Sequence, residues 1–308
     1  MKEDQILDIT LEILDKKGAD EAYCYLVSNY ALLESDENPG AQFYNFLYCL
    51  SALSGRKEEA LDWVREAVID RKYWYRPEGF EDGDLTSLRD DAAFKEYVRV
   101  SEERYREVLK AARTLCTWDL KDSEKIALVL HGNQQNYCHG RPYWDQLASS
   151  GYQVEYVQSA IPDSAGLYRW EDDSELQLNS VLSVIPWETY EERLLCGFSA
   201  GCNEILRTLI HQKPEIKSLS GYQTNRKTCE AILLVAPWIP VIKERMDELL
   251  DVIESQQISV RIVCGREDED CAPLVEKFSR AASGRNMDYE VTRIKGMGHR
   301  YPDEIIRI

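Results

Sequence analysis

The sequence is poor in positive charge. Its 37 lysines and arginines face 55 aspartates and glutamates, a formal net charge of −18. A chain this acidic repels phosphate backbones and anionic membrane surfaces, so neither nucleic acid nor a lipid headgroup is an expected partner. It also lacks any apolar run of about 18 residues, which excludes a membrane-spanning helix. The opening MKEDQILDIT is acidic and has no apolar h-region or cleavage signal, so no secretory leader is expected. Of its 9 cysteines none is paired at CxxC spacing. An odd number in apolar runs such as Leu195-Cys196-Gly197 reads as reduced, buried thiols of a cytoplasmic protein, and no zinc or other metal site is expected. Histidine is scarce too: only 131, 139, 211 and 299.

What is present divides into two textures. Up to about residue 117 the pattern is helical. The rows Ile6/Ile9/Ile13 and Leu7/Leu11/Leu14 step by three or four and stop at Gly18. Further helices are expected near 20–33, 41–53, 57–70 and 91–115, with a breaker at Glu37-Asn38-Pro39-Gly40. From about 120, short β-rich apolar runs alternate with helical patterns. The expected strands are 126–131, 152–158, 193–198, 231–236, 259–264 and 289–294; helices are expected near 141–150, 174–185, 202–212, 241–256 and 272–283. Such alternation predicts a mostly parallel sheet of about six strands covered by helices on both faces. The expected domains are 1–118 and 119–308.

Four motifs in the second texture carry chemistry. Gly197-Phe198-Ser199-Ala200-Gly201 sits between a strand and a helix, the G-x-S-x-G elbow that lifts a serine hydroxyl onto a sharp turn, with a small residue two positions away on each side. His131-Gly132-Asn133-Gln134 leaves the first strand. Its loop can offer an amide, from Asn133 or Gln134, to a developing oxyanion, with Ala200 supplying the second; His131 itself reads as a loop brace. Val263-Cys264-Gly265-Arg266-Glu267-Asp268-Glu269-Asp270 brings four acids to a turn. Asp268 is the preferred partner for a histidine, with Asp270 the alternative. Gly296-Met297-Gly298-His299 follows the last strand, and His299 is the one histidine well placed to act as a base. Trp170 and Trp238 are candidate apolar walls of a substrate pocket, and His139 a candidate substrate contact.

Two resemblances follow. Tyr44 to Gly55, continued by Ala60, Val64 and Ala67, resembles a tetratricopeptide repeat, and 83–91 with Phe94 looks like the tail that closes such arrays. That implies either a surface for a protein partner or a plain helical cap. Residues 124–308 resemble a minimal serine hydrolase of the α/β-hydrolase superfamily, nearest to phospholipase/carboxylesterases and dienelactone-hydrolase-like esterases. The order Ser199, Asp268, His299 is that superfamily's order. The resemblance implies Ser199 as nucleophile, His299 as general acid/base, Asp268 as its orienter, a small-molecule ester, thioester or other acyl substrate, and no cofactor. A peptidase of the same fold, or an interaction protein with a regulated or inactive hydrolase domain, are the alternatives.

Overall fold

The computed structural model describes residues 3–36, 39–171, 176–211 and 227–302. The chain divides into two compact units, Met1–Ala112 with Pro162–Leu167, and Arg113–Ile161 with Tyr168–Ile308.

The first unit is built on five α-helices: α1 (Glu3–Lys17), α2 (Ala19–Asp36), α3 (Ala41–Leu53), α4 (Lys57–Arg65) and α5 (Ala92–Ala111). Gly18, at φ +93°, turns the chain between α1 and α2, the left-handed conformation that glycine adopts without strain. The small buried residues Ala52, Ala60, Val64 and Ala67 let α3 and α4 approach, and α4 runs on as a π-helical turn, Glu66–Asp70. Residues 162–167 belong to this unit because they pair with the segment before α5. Arg76 N–H donates to the Asp163 carbonyl (2.9 Å), Ala165 N–H to that of Trp74 (2.9 Å), and the Arg76 guanidinium meets the Asp163 carboxylate at 3.0 Å.

The second unit holds strands β1 (Leu115–Cys116), β2 (Lys125–Leu130), β3 (Tyr152–Gln158), β6 (Glu192–Phe198), β7 (Ala231–Val235), β8 (Ser259–Gly265) and β9 (Tyr289–Ile294) in one seven-stranded sheet, ordered β1-β3-β2-β6-β7-β8-β9. All neighbours are parallel except β1 against β3. Between β3 and β6, the short strands β4 (Ile161–Ser164) and β5 (Leu167–Arg169) form a separate two-stranded sheet. The helices are α6 (Tyr137–Trp144), α7 (Gln177–Val184), α8 (Ala200–His211), α9 (Ile242–Gln256) and α10 (Ala272–Ala282).

Period-two alternation divides the buried strand residues between two cores. Ile126, Leu128 and Leu130 pack with Leu178, Leu206, Ile253 and Phe278 of α7–α10; Ala127 and Val129 pack with Trp144, Leu147, Met297 and Tyr301. Both faces of the central strands are therefore covered, which is why those strands read as continuous apolar runs.

The structure adds to or corrects the sequence expectation in four places. Among the described residues the sheet has seven strands, in keeping with the mostly parallel sheet of about six expected; the added one, Leu115–Cys116, expected as the end of a helix, is the antiparallel edge strand, too short to show a period. Residues 161–169, to which the sequence assigns neither strand nor helix, hold the pair β4/β5; the breaker residues Glu37 and Asn38 and the first residues of the helix expected near 174–185 lie outside the described residues. Helix α6 begins at 137, four residues before the expected start at 141, because Asn136 caps it there. Finally, the cysteines are free but not uniformly buried, with Cys24 and Cys138 exposed.

Candidate active site

The site collects at the carboxyl ends of β2, β6, β8 and β9. Strand β6 enters a bend at Ser199, whose φ of +50° is left-handed, and α8 leaves it at Ala200. Holding a non-glycine residue there costs on the order of 1–2 kcal/mol, which the surroundings must offset. They do so with backbone bonds, Ser199 N–H to the Val235 carbonyl (3.0 Å) and Cys202 N–H to the Ser199 carbonyl (3.0 Å). Glycine is required on the helix side: a Cβ on Gly201 would lie 2.5 Å from the His131 carbonyl oxygen. That contact also places the loop after β2 against the N-terminus of α8.

Ser199 Oγ lies 2.8 Å from Nε2 of His299, and His299 Nδ1 lies 2.9 Å from Oδ2 of Asp268. A carboxylate only accepts, so Nδ1 carries the proton, and Nε2 is left to accept from the serine hydroxyl. Asp268 is 2 % exposed, and its other oxygen accepts the Cys271 amide at 3.0 Å. Burial alone would raise its pKa, but the bonds from His299 and the Cys271 amide outweigh that and hold the carboxyl below its ordinary range. Asp270, the alternative, is exposed to solvent.

Sequence reasoning missed what brings the histidine loop in. A Cβ on Gly265, at the end of β8, would sit 1.9 Å from the Met297 carbonyl oxygen. Only a bare α-carbon lets the 296–299 loop pass so close. It also missed the stack behind the imidazole. The Phe198 ring lies 5.4 Å from that of His299 and stacks on Tyr301 at 4.0 Å, which stacks in turn on Tyr143 at 4.1 Å. A third omission is Cys271, whose Sγ lies 3.4 Å from His299 Nδ1. None of these leaves a sequence motif beyond a lone glycine, aromatic or cysteine.

The remaining predicted residues fall into two groups. The loop after β2 lies beside the serine, since a Cβ on Gly132 would be 3.1 Å from Ser199 Cβ. Within it, Asn133 and Gln134 are exposed, and Gln134 is left-handed at φ +56°. Asn133 Oδ1 accepts the Trp170 amide (2.8 Å), Gly132 N–H donates to Gln135 Oε1 (3.0 Å), and Ala200 opens α8, where first-turn amides have no partner within the helix. His131 braces the loop: its ring bonds the Gly132 carbonyl at 2.6 Å and accepts the Ser159 amide at 3.1 Å. Burial pushes its pKa down to about 4, so it is neutral.

Trp170, by contrast, is 6 % exposed, with its indole N–H donating to the His131 carbonyl at 2.7 Å; it supports the loop from within the core and offers little open surface. Trp238 is half-buried beside the ammonium of Lys243. His139 accepts the Asn136 amide at 3.1 Å and completes a capping box at the start of α6. The thiols of Cys196 and Cys202, flanking the elbow, are pushed up by burial, so neither offers a thiolate.

Residues 2–109 match the family model of the A/B hydrolase-like N-terminal domain. That match, rather than a tetratricopeptide repeat, is what the helical region finds. No curated protein matches the chain. Among solved structures, it is similar to an uncharacterized protein from Bacillus cereus ATCC 10987, at 28% identity over 98% of this chain and 94% of the other, with a TM-score of 0.49. Weaker likenesses are to acyl-protein thioesterase 2 of Zea mays (14% identity, 62% and 93% covered, TM-score 0.40) and to a carboxylesterase from Mesorhizobium loti (17% identity, 59% and 85% covered, TM-score 0.41). A mostly parallel sheet with a strand–serine–helix elbow, preceded by a helical region, is an α/β-hydrolase fold. No helix among the described residues is long and apolar enough to cross a membrane.

Proposed function

We propose that the protein is a serine hydrolase that cleaves a carboxylic ester or thioester (class EC 3.1) through an acyl-enzyme. One observation carries the reading: the unbroken line from Ser199 Oγ through His299 to the buried carboxylate of Asp268, with separations of 2.8 and 2.9 Å. Ser199 Oγ attacks the acyl carbonyl carbon while its proton passes to Nε2. Asp268 stays ionised, fixes the tautomer and stabilises the imidazolium. The oxyanion is held by the Ala200 amide and an amide of the 133–134 loop. As the carbonyl re-forms, the C–O or C–S bond to the leaving group breaks and Nε2 returns its proton to the departing alcohol or thiol. Water then attacks the acyl-enzyme, giving its proton to Nε2; the acid departs and Ser199 recovers its hydrogen. No step calls for a metal or organic cofactor.

The test is covalent labelling with a fluorophosphonate probe, followed by a nitrophenyl-ester panel of increasing acyl length. Wild type is expected to label and Ser199→Ala to remain blank. Equal labelling of the two would overturn the assignment and favour an interaction protein carrying an inactive hydrolase domain.

A further inference from the structure

The thiol of Cys271 has no part in that chemistry, yet it is buried beside it. Its Sγ lies 3.3 Å from the Ala236 carbonyl oxygen and 3.4 Å from Nδ1 of His299. One donor atom each from Asp268, Cys271 and His299 lie within 4.8 Å of one another. Tetrahedral zinc holds nitrogen and oxygen ligands about 3.4 Å apart, and sulfur and nitrogen about 3.6 Å apart. The protein already has sulfur and nitrogen at 3.4 Å, and nitrogen and carboxylate at 2.9 Å. The histidine–aspartate pair would open by about half an ångström to reach that spacing, and the sulfur and the carboxylate already lie within 4.8 Å of each other. This set mixes three residue types from two loops, so no CxxC spacing announces it.

We propose that Asp268, Cys271 and His299 form a binding site for a thiophilic divalent cation such as Zn²⁺, and that occupation of this site switches the hydrolase off. The second half rests on the reading of Ser199 and His299 given above. Coordination releases one proton and relocates another. The thiol proton leaves to solvent as the S–metal bond forms, and the imidazole exchanges its Nδ1 proton, through solvent, for one on Nε2 as Nδ1 binds the metal. The imidazole then carries its hydrogen on Nε2, the nitrogen facing Ser199, and has no lone pair left to accept the serine proton. Charge balances as well: a dication with one thiolate, one carboxylate and one neutral imidazole leaves no net charge in a buried place.

Cobalt(II) is the probe, because cobalt bound through cysteine gives a thiolate-to-metal charge-transfer band independent of any activity. The measurements use full-length protein in which the two exposed cysteines are removed (Cys24→Ser and Cys138→Ser). A one-equivalent band is expected there and in the additional Ser199→Ala variant, displaced by Zn²⁺, and absent in both Cys271→Ala and the near-isosteric Cys271→Ser. No band, or a band that survives in folded Cys271→Ser, would overturn the site. In the second arm, Zn²⁺ is expected to slow fluorophosphonate labelling of Ser199 by about tenfold or more, reversibly with chelator, and much less in Cys271→Ser. Labelling that is normal without metal and unaffected by it would overturn the switch alone. Absence of labelling without metal would instead overturn the hydrolase reading, and the cobalt band would still decide the metal site.

Discussion

Two histidine loops flank the serine, and they use the same side chain in opposite ways. His131, on the loop after β2, is 2 % exposed, and both ring nitrogens bond main-chain groups, the Gly132 carbonyl and the Ser159 amide. His299, on the loop after β9, has a 40 % exposed side chain and meets only side chains, Ser199 at Nε2 and Asp268 with Cys271 at Nδ1. Main-chain partners fix a ring as a strut. A hydroxyl on one nitrogen and a carboxylate on the other leave it a proton to hold and a place to put it. Partner type, more than burial or sequence context, separates a structural histidine from a working one.

The sharpest way to break this comparison is to change the carboxylate behind His299. Asp268→Asn keeps the shape but presents a donor or a neutral acceptor to Nδ1. On the proposed mechanism kcat/KM should fall by about 10³–10⁴-fold. Asp270→Asn, two residues on and exposed, should stay within about twofold, the size of a surface change. Ester-hydrolysis kinetics on both variants decide it, and equal losses would remove the distinction between the two acids. Next comes the approach of the loop itself. Gly265→Ala puts a methyl where the Met297 carbonyl stands, so the 296–299 loop must move. A displacement of about 1 Å is expected to cost on the order of 10²-fold in kcat/KM, with fluorophosphonate labelling slowed in parallel.

The strut predicts a pH effect on stability rather than on catalysis. The pKa of His131 is pushed by burial from 6.5 down to about 4. Above 6.5 neither folded nor unfolded chain carries this proton, so the group is silent. As pH falls below 6.5 the unfolded chain binds the proton first and stability is lost, levelling off near 4. The full loss is at most about 3 kcal/mol. Urea midpoints measured from pH 7 to 4 should fall more steeply for wild type than for His131→Asn, in which this contribution is gone; parallel slopes would contradict it.

How much of this was legible in the sequence varies with the physics involved. Strands β2, β6 and β7 carry continuous apolar runs because both their faces are buried, and those runs are visible without a structure, whereas the edge strand β9 shows only alternation. The elbow is legible because strain and close packing at Ser199 demand small residues at fixed offsets. The acid was narrowed to two, since spacing places both on one turn; only burial separates Asp268 from Asp270. What stayed hidden depends on contacts between distant segments. Gly265 matters because the 297 carbonyl passes over it. Cys271 matters because it meets a histidine 28 residues later. Leu115–Cys116 is a strand only because β3 offers it an edge. Trp170 reads from sequence as a candidate pocket wall; that its indole N–H donates to the His131 carbonyl, 39 residues away, is another contact that no spacing shows.

His139 gives the smallest effect and the finest test of the same rule. Lying on the polar loop beside the site, it was expected as a substrate contact. Its Nδ1 accepts the amide of Asn136, while Asn136 Oδ1 in turn accepts the Cys138 amide, so the pair closes the first turn of α6. By the criterion drawn from the two larger loops, a histidine that serves a main-chain amide is a structural one. His139→Ala should therefore cost about 1 kcal/mol of stability, the usual worth of a helix cap, and leave kcat/KM within about twofold. His139→Gln, which can still accept that amide from the third helical position, should recover most of the lost stability. A KM that rises sharply in both variants without a change in unfolding midpoint would reverse the conclusion, because a cap acts on the helix and a substrate contact acts on binding.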